Sequence, residues 1–192
     1  NCFENFGNYP IDKFKDILKT ITEENKLQLS KLGIRIGAKY FFIPHLLKKK
    51  PLEFNAILWK TYYQKDSDDI LPLPLNGRVS FISETKMPGN YWQSIGYINI
   101  KNFIFRIDVF EKIFFIARQK LKKGPFLESS DLMNPLGCNS DQLKEIMAFC
   151  GYDYLTISDE KKLFFLSNKK KGTKKITKNQ SNKKINLKKN KE

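Results

Sequence analysis

Ser140-Asp141-Gln142-Leu143-Lys144-Glu145-Ile146-Met147-Ala148-Phe149-Cys150-Gly151, followed by Tyr154-Leu155-Thr156-Ile157 and Leu163-Phe164-Phe165-Leu166, is the stretch that decides the fold. Leu143, Ile146, Met147 and Cys150 recur at i, i+3, i+4 and i+7, which gathers apolar side chains on one helical face. Gly151 closes that helix, because a residue without a Cβ enters the left-handed conformation freely. The two aromatic and β-branched runs, joined by the polar turn from Ser158 to Lys162, read as a hairpin.

Upstream, the pattern predicts a short helix near Asp131 to Asn134, a turn from Pro135 to Cys138, and a short strand after Gly124-Pro125-Phe126. Before these, Phe110, Ile113, Phe114, Ala117 and Leu121 share one helical face, with Asp108 and Glu111 at capping-box spacing. Helix, short strand, helix, turn, helix, hairpin is the order of a winged-helix module, spanning 103–167. Phe115 falls off the apolar stripe, and Val109 and Ile116 flank it, so this helix is expected to pack against something outside the chain.

Residues 66–102 read as a loop-rich connection, with Asp66-Ser67-Asp68-Asp69, Leu71-Pro72-Leu73-Pro74, Asn76-Gly77 and Pro88-Gly89. Residues 1–65 form a first lobe. Phe14, Ile17, Leu18 and Ile21 share a helical face, and a second helix from Glu23 to Leu32 stops at Gly33. Ile34-Arg35-Ile36 and Tyr40-Phe41-Phe42-Ile43 flank Gly37-Ala38-Lys39 as a hairpin would, and Pro44 ends it. Pro51 can open a further helix, on which Phe54, Ile57, Leu58 and Tyr62 are expected to line the buried face. Residues 168–192 hold too little apolar surface to offset their ordering entropy and are expected to be disordered. The fold class expected is α+β, mainly helical: a helical lobe with a β-hairpin, a winged-helix-like lobe, and a disordered basic tail.

The 41% hydrophobic content, with 16 Phe, is ample for a core. The net charge of +15 is uneven: from 169 onward eleven lysines face the single Glu192, a balance of +10 that leaves +5 for the rest. Such a tail neutralises phosphates without fixed geometry, although a Lys-, Asn- and Ile-rich proteome would also account for it. Cys2, Cys138 and Cys150 form neither a CxxC pair nor an even set, which suits a reducing compartment. No apolar run reaches the ~18 residues of a membrane span. The chain opens on Asn1, so the true N-terminus is expected to lie upstream, and a targeting signal is not legible.

Catalytic patterns fail one by one. Gly33 to Lys39 lacks the spacing and the Lys-Ser/Thr pair of a phosphate loop. Asp159-Glu160 lies in a lysine-flanked turn, where two solvated carboxylates are the ordinary reading. His45 is the sole histidine, without metal-ligand spacing around it. Asp66, Asp68 and Asp69 start like a calcium loop but lack its later Gly and Glu. No serine or cysteine can be paired with a base. Within the winged-helix-like lobe, Gln142, Lys144, Lys161 and Lys162 are candidate nucleic-acid contacts. The helix carrying the first two also bears Asp141 and Glu145 and no Arg, unlike a groove reader, so the module could instead pack on a neighbouring domain. The tail adds Lys169, Lys170, Lys171, Lys174 and Lys175.

Several phrases, taken together, resemble a known family. Leu32-Gly33-Ile34-Arg35-Ile36-Gly37, Ile43-Pro44-His45-Leu46-Leu47-Lys48, Leu58-Trp59, Pro72-Leu73-Pro74 and Gly77-Arg78-Val79-Ser80 are similar to the region after the motor in bacterial, alphaproteobacterial-type helicases of the Suv-three class. Gly96-Tyr97, Arg106-Ile107-Asp108, Gly124-Pro125-Phe126, Leu136-Gly137-Cys138 and Gly151-Tyr152 continue the likeness in order, over about residues 20 to 166. The resemblance implies a superfamily-two ATP-dependent RNA helicase that unwinds RNA 3' to 5' during RNA turnover. Mg-ATP would bind between two RecA-like domains upstream, and no catalytic, cofactor or metal residue of that motor can be placed here. The family implies that this part closes over or supports the RNA channel, with Arg35, Lys39, Lys48 and Arg78 as candidate contacts; Arg35 and Arg78 could equally brace the fold. Expected partners are single-stranded RNA, the RecA-like domains and a ribonuclease, with no membrane. The expected location is the bacterial cytoplasm, or the mitochondrial matrix if the source is eukaryotic. A protein-docking module of a helicase complex and a stand-alone winged-helix DNA-binding protein are the alternatives.

Overall fold

The computed structural model describes residues 5–63, 70–75, 78–157 and 161–167. The lysine-rich tail with its five candidate contacts, the Asp66 to Asp69 loop and the Asp159-Glu160 pair lie outside the described residues. The architecture is mixed α and β, with seven α-helices and three small antiparallel sheets among the described residues.

The first sheet joins β1 (Asn8–Pro10), β2 (Arg35–Ile36) and β3 (Tyr40–Phe42) in the order β1-β3-β2. The hairpin of β2 and β3 forms where the flanking apolar runs place it. Strand β1 was not foreseen: three residues are too few to show an alternation. Helices α1 (Lys15–Thr20) and α2 (Glu23–Lys31) follow a 3-10 turn at Ile11–Phe14. The Thr22 side chain caps α2 by accepting the Asn25 N–H, and Gly33, at φ +79°, leaves the helix in the left-handed region.

Helix α3 (Lys49–Tyr63) corrects the reading of its buried face. Phe54, Ile57, Leu58 and Tyr62 are exposed, while Leu52, Asn55, Ala56 and Trp59 face inward. Both faces carry apolar residues at helical spacing, so periodicity cannot choose between them; the choice falls to Trp59, 1% exposed, which packs edge-on against Tyr91 at 5.0 Å.

Residues 80–100, expected to be connecting loop, instead hold β4 (Ser80–Ile82), α4 (Gly89–Ser94) and β5 (Tyr97–Ile100). With β6 (Phe103–Arg106) these strands form a sheet of order β4-β6-β5. Pro88-Gly89 opens a helix here, with Pro88 at the N-cap, so a turn signal was also a helix start. The expected boundary after residue 102 falls in the turn of the β5–β6 hairpin.

Helix α5 (Ile107–Leu121) leads through β7 (Phe126–Leu127), α6 (Ser130–Met133) and α7 (Ser140–Cys150) to β8 (Tyr152–Thr156) and β9 (Lys162–Leu166). These strands pair in the order β7-β9-β8. Asn139 and Gln142 cap α7 reciprocally, and Gly151 ends it at φ +94°. Phe110, Ile113, Phe114, Leu143, Ile146, Met147 and Phe164 share one buried core, and Phe42 and Leu47 from the first lobe belong to it. The hairpin of the first lobe is therefore seated on α5.

Candidate nucleic-acid interface

Helix α5 and the β2–β3 hairpin meet through a carboxylate. Glu111, 7% exposed, accepts the Ala38 N–H at 2.6 Å and the Lys39 and Tyr40 N–H groups at 2.8 Å each. The sequence reading assigned Glu111 to a capping box; instead Arg106 is the N-cap, with no side-chain cap bond, and Glu111 satisfies donors some seventy residues distant. Burial pushes the Glu111 carboxyl above its ordinary range, opposed by the three N–H bonds and by Lys39. Gly37 is required beside it, because a Cβ there would stand 2.3 Å from the Glu111 carboxyl carbon. The Tyr40 phenol is pushed up to about 12, by burial first and then by Glu111, and its ring meets Phe110 edge-on at 6.2 Å. Lys39 lies with its ammonium 5.7 Å from the Phe114 ring centroid.

With the hairpin held there, Lys112, Phe115 and Arg118, spaced i, i+3, i+6 on α5, face Arg35 across an open groove of about 560 Å³. Phe115 is 59% exposed at this groove. Arg35 is exposed too, and donates to Ser30 Oγ at 3.0 Å. An aromatic face among three cations suits a stacked base with its phosphates neutralised alongside. Asp108 also lines the groove, but its carboxylate is taken by Arg106 at 2.7 and 3.0 Å. Beyond Pro44, which lines both, lies a second groove of about 310 Å³ with Lys48 and Lys49 at its wall.

The structure thus brings Arg35 into one groove and Lys48 into the adjoining one. Lys39 sits at their hairpin support. Arg78 is exposed and lines neither; its carbonyl accepts the Tyr97 hydroxyl at 2.7 Å. Around α7 the candidates are largely occupied. Gln142 accepts the Asn139 N–H within the cap. Lys144 stands 3.7 Å from Asp141 and 5.5 Å from the Tyr154 ring. Lys162, its side chain 12% exposed, donates to Ser140 Oγ and lies 3.3 Å from Asp141, tying β9 to the start of α7. Ser140 also bonds Glu128. Of these four only Lys161 is exposed, the others being half-buried.

Lys112 and Arg118 were missed as candidates. Their signal was the i, i+3, i+6 spacing with Phe115 on the face opposite the core stripe. Among the described residues no group of three His, Cys, Asp or Glu could hold a metal ion, and no helix is long and apolar enough to cross a membrane. Comparison with protein-family models, curated proteins and solved structures finds no match for this chain.

Proposed function

We propose that this chain is an accessory RNA-binding portion of an ATP-dependent RNA helicase, holding single-stranded RNA while a motor elsewhere in the protein moves it. The observation that carries the RNA contact is Phe115 set among Arg35, Lys112 and Arg118. Such a platform is tolerant of sequence, since every base has a face to stack and every nucleotide a phosphate. The lysine tail adds a contact without geometry. The helicase part of the reading rests on the ordered motif series from Leu32 to Tyr152. In that reading Mg-ATP belongs to upstream RecA-like domains, no hydrolytic step is assigned to residues of this chain, and a ribonuclease is the expected partner in RNA turnover.

The order α5, β7, α6, α7, β8, β9 with sheet order β7-β9-β8 supports a winged-helix reading from Ile107 onward, whereas Phe103–Arg106, expected to open that module, pair as β6 with β4 and β5. Its α7 is a poor groove reader, because Gln142 and Lys144 are engaged within the protein, as is Lys162 on the adjacent β9. That speaks against a stand-alone DNA regulator. The test is fluorescence anisotropy of a labelled oligouridylate with the whole chain, with a chain ending at residue 168, and with Phe115→Ala and Arg118→Ala, at several salt concentrations. Phe115→Ala is expected to weaken binding by about 1–3 kcal/mol at all salts, the worth of one stacked base. Arg118→Ala and loss of the tail should flatten the salt dependence. Unchanged affinity in both point variants would remove the groove from the RNA path.

A further inference from the structure

Among the described residues, Pro44 and Asp108 line both the Phe115 groove and the groove beside it, and so form the junction between them. Neither suits a phosphate: proline has no N–H to donate, and a carboxylate repels an anion. Cations stand on either side. Arg35, Lys112 and Arg118 line the first groove, Lys48 and Lys49 the second, and all five are exposed. Of the other carboxylates at these grooves, Glu111 is spent on the hairpin turn and Glu53 lies 4.0 Å from Lys49. A strand whose phosphates settle on the two sets of cations therefore brings a sugar, and not a phosphate, over the junction.

The Asp108 carboxylate is fixed and is still able to accept. Oδ1 receives Arg106 Nε at 2.7 Å and the Val109 N–H at 2.9 Å, and Oδ2 receives a terminal nitrogen of Arg106 at 3.0 Å. These three N–H groups use three of the roughly four acceptor positions of a carboxylate, and the one left is on Oδ2. The side chain is 31% exposed, so that position is within reach of a ligand. Pairing with Arg106 offsets the negative charge without using up the acceptors, and the bidentate geometry holds the group in one orientation.

We propose that the RNA strand crosses from one groove to the other over Asp108, and that Asp108 Oδ2 accepts the 2'-hydroxyl of the ribose at the crossing, selecting RNA over DNA. The inference rests on the RNA reading of the Phe115 groove and adds the feature of the nucleotide that this groove does not read. Stacking on Phe115 and ion pairing with its neighbours are open to either nucleic acid, whereas the 2'-hydroxyl belongs to RNA alone. A deoxyribose at the junction leaves the carboxylate facing an anionic strand with no donor between them.

The experiment is anisotropy of the whole chain with labelled oligouridylates of one length whose sugars are 2'-hydroxyl, 2'-fluoro or 2'-deoxy. Fluorine keeps the sugar close to its RNA shape but carries no proton to donate. The parent should bind the hydroxyl oligomer about tenfold more tightly than the fluoro one, the worth of one hydrogen bond to a charged acceptor. In Asp108→Ala the two should bind alike, with thermal melting to show that the fold survives the loss of the Arg106 pair. Because the fluoro comparison is made on the parent, it decides even where that variant unfolds. Phe115→Ala, and separately the double variant Lys48→Glu, Lys49→Glu, should weaken all three oligomers while keeping the hydroxyl preference. Equal binding of hydroxyl and fluoro oligomers by the parent would overturn the proposal and leave the Phe115 reading standing. So would a hydroxyl preference that persists in Asp108→Ala, or a lysine double variant without effect, since the strand then does not cross. Failure of the RNA reading itself looks different: Phe115→Ala and Arg118→Ala leave every oligomer unmoved, and Asp108 falls with the groove.

Discussion

Replacing Glu111 with Ala should be among the most damaging single changes in this protein. The carboxylate is the partner of three backbone N–H groups in the hairpin turn, two at 2.8 Å and one at 2.6 Å. Hydrogen bonds to a charged group contribute roughly 1.5–3 kcal/mol each, but the turn borders an open groove and water will reach part of the vacated space, so a loss of about 3–5 kcal/mol is expected. For a chain of this size that corresponds to a fall in melting temperature on the order of 10 °C. Calorimetry or urea unfolding followed by circular dichroism measures it. A double-mutant cycle makes the reasoning specific. Gly37→Ala alone should be costly, because its Cβ would lie 2.3 Å from the Glu111 carboxyl carbon. In the Glu111→Ala background that obstacle is gone, so the second substitution should cost little, with a coupling of more than about 1 kcal/mol. The pH dependence has a definite sign. The native carboxyl, raised by burial, holds its proton at a pH where the unfolded chain has released it. Stability due to this group is then greatest below the ordinary glutamate range and falls as pH rises through the elevated native value. Glu111→Gln should remove that slope. Additive effects of the two substitutions, or a loss below about 1 kcal/mol for Glu111→Ala, would refute the latch.

Three other outcomes are expected. Lys162→Met should lower stability by about 1–3 kcal/mol through loss of its bonds to Ser140 and Asp141, yet leave RNA affinity unchanged, whereas Lys161→Ala should do the reverse; unfolding and anisotropy on the same samples separate them. Trp59→Ala should cost about 3–5 kcal/mol in urea unfolding, and Phe54→Ala under about 1, since the first is 1% exposed and the second 59%. Cys138, whose thiol burial raises to about 11, and Cys150, raised further by burial, should resist alkylation at pH 8 until the protein is unfolded, as peptide mapping by mass spectrometry would show.

Much of the chain was legible without its fold. Helix α7 with its Gly151 stop, the β8–β9 hairpin, the apolar face of α5, the β2–β3 hairpin and the Gly33 stop all follow from spacing and turn chemistry, which act within one or two turns of chain. The exposure of Phe115 was visible in the same way, as a large apolar residue off its helix stripe. What local pattern could not settle was any choice between two equivalent faces or two partners. On α3 both faces are apolar, and only the packing of Trp59 against Tyr91 turns Phe54 and Ile57 outward. At Glu111 the spacing fits a capping box, and only the hairpin seated on α5 offers it three better-placed donors from distant sequence. Lys162 reads as a surface cation until β9 is laid beside the start of α7. The sequence alone determined the strongly patterned helices and hairpins, because these depend on neighbours in the chain, while the short elements β1, β4, α4 and β5 form only against their tertiary partners. The tertiary structure decided which side chains are spent inside and which remain to meet a partner, because that depends on distant groups competing for the same hydrogen bonds and the same buried space.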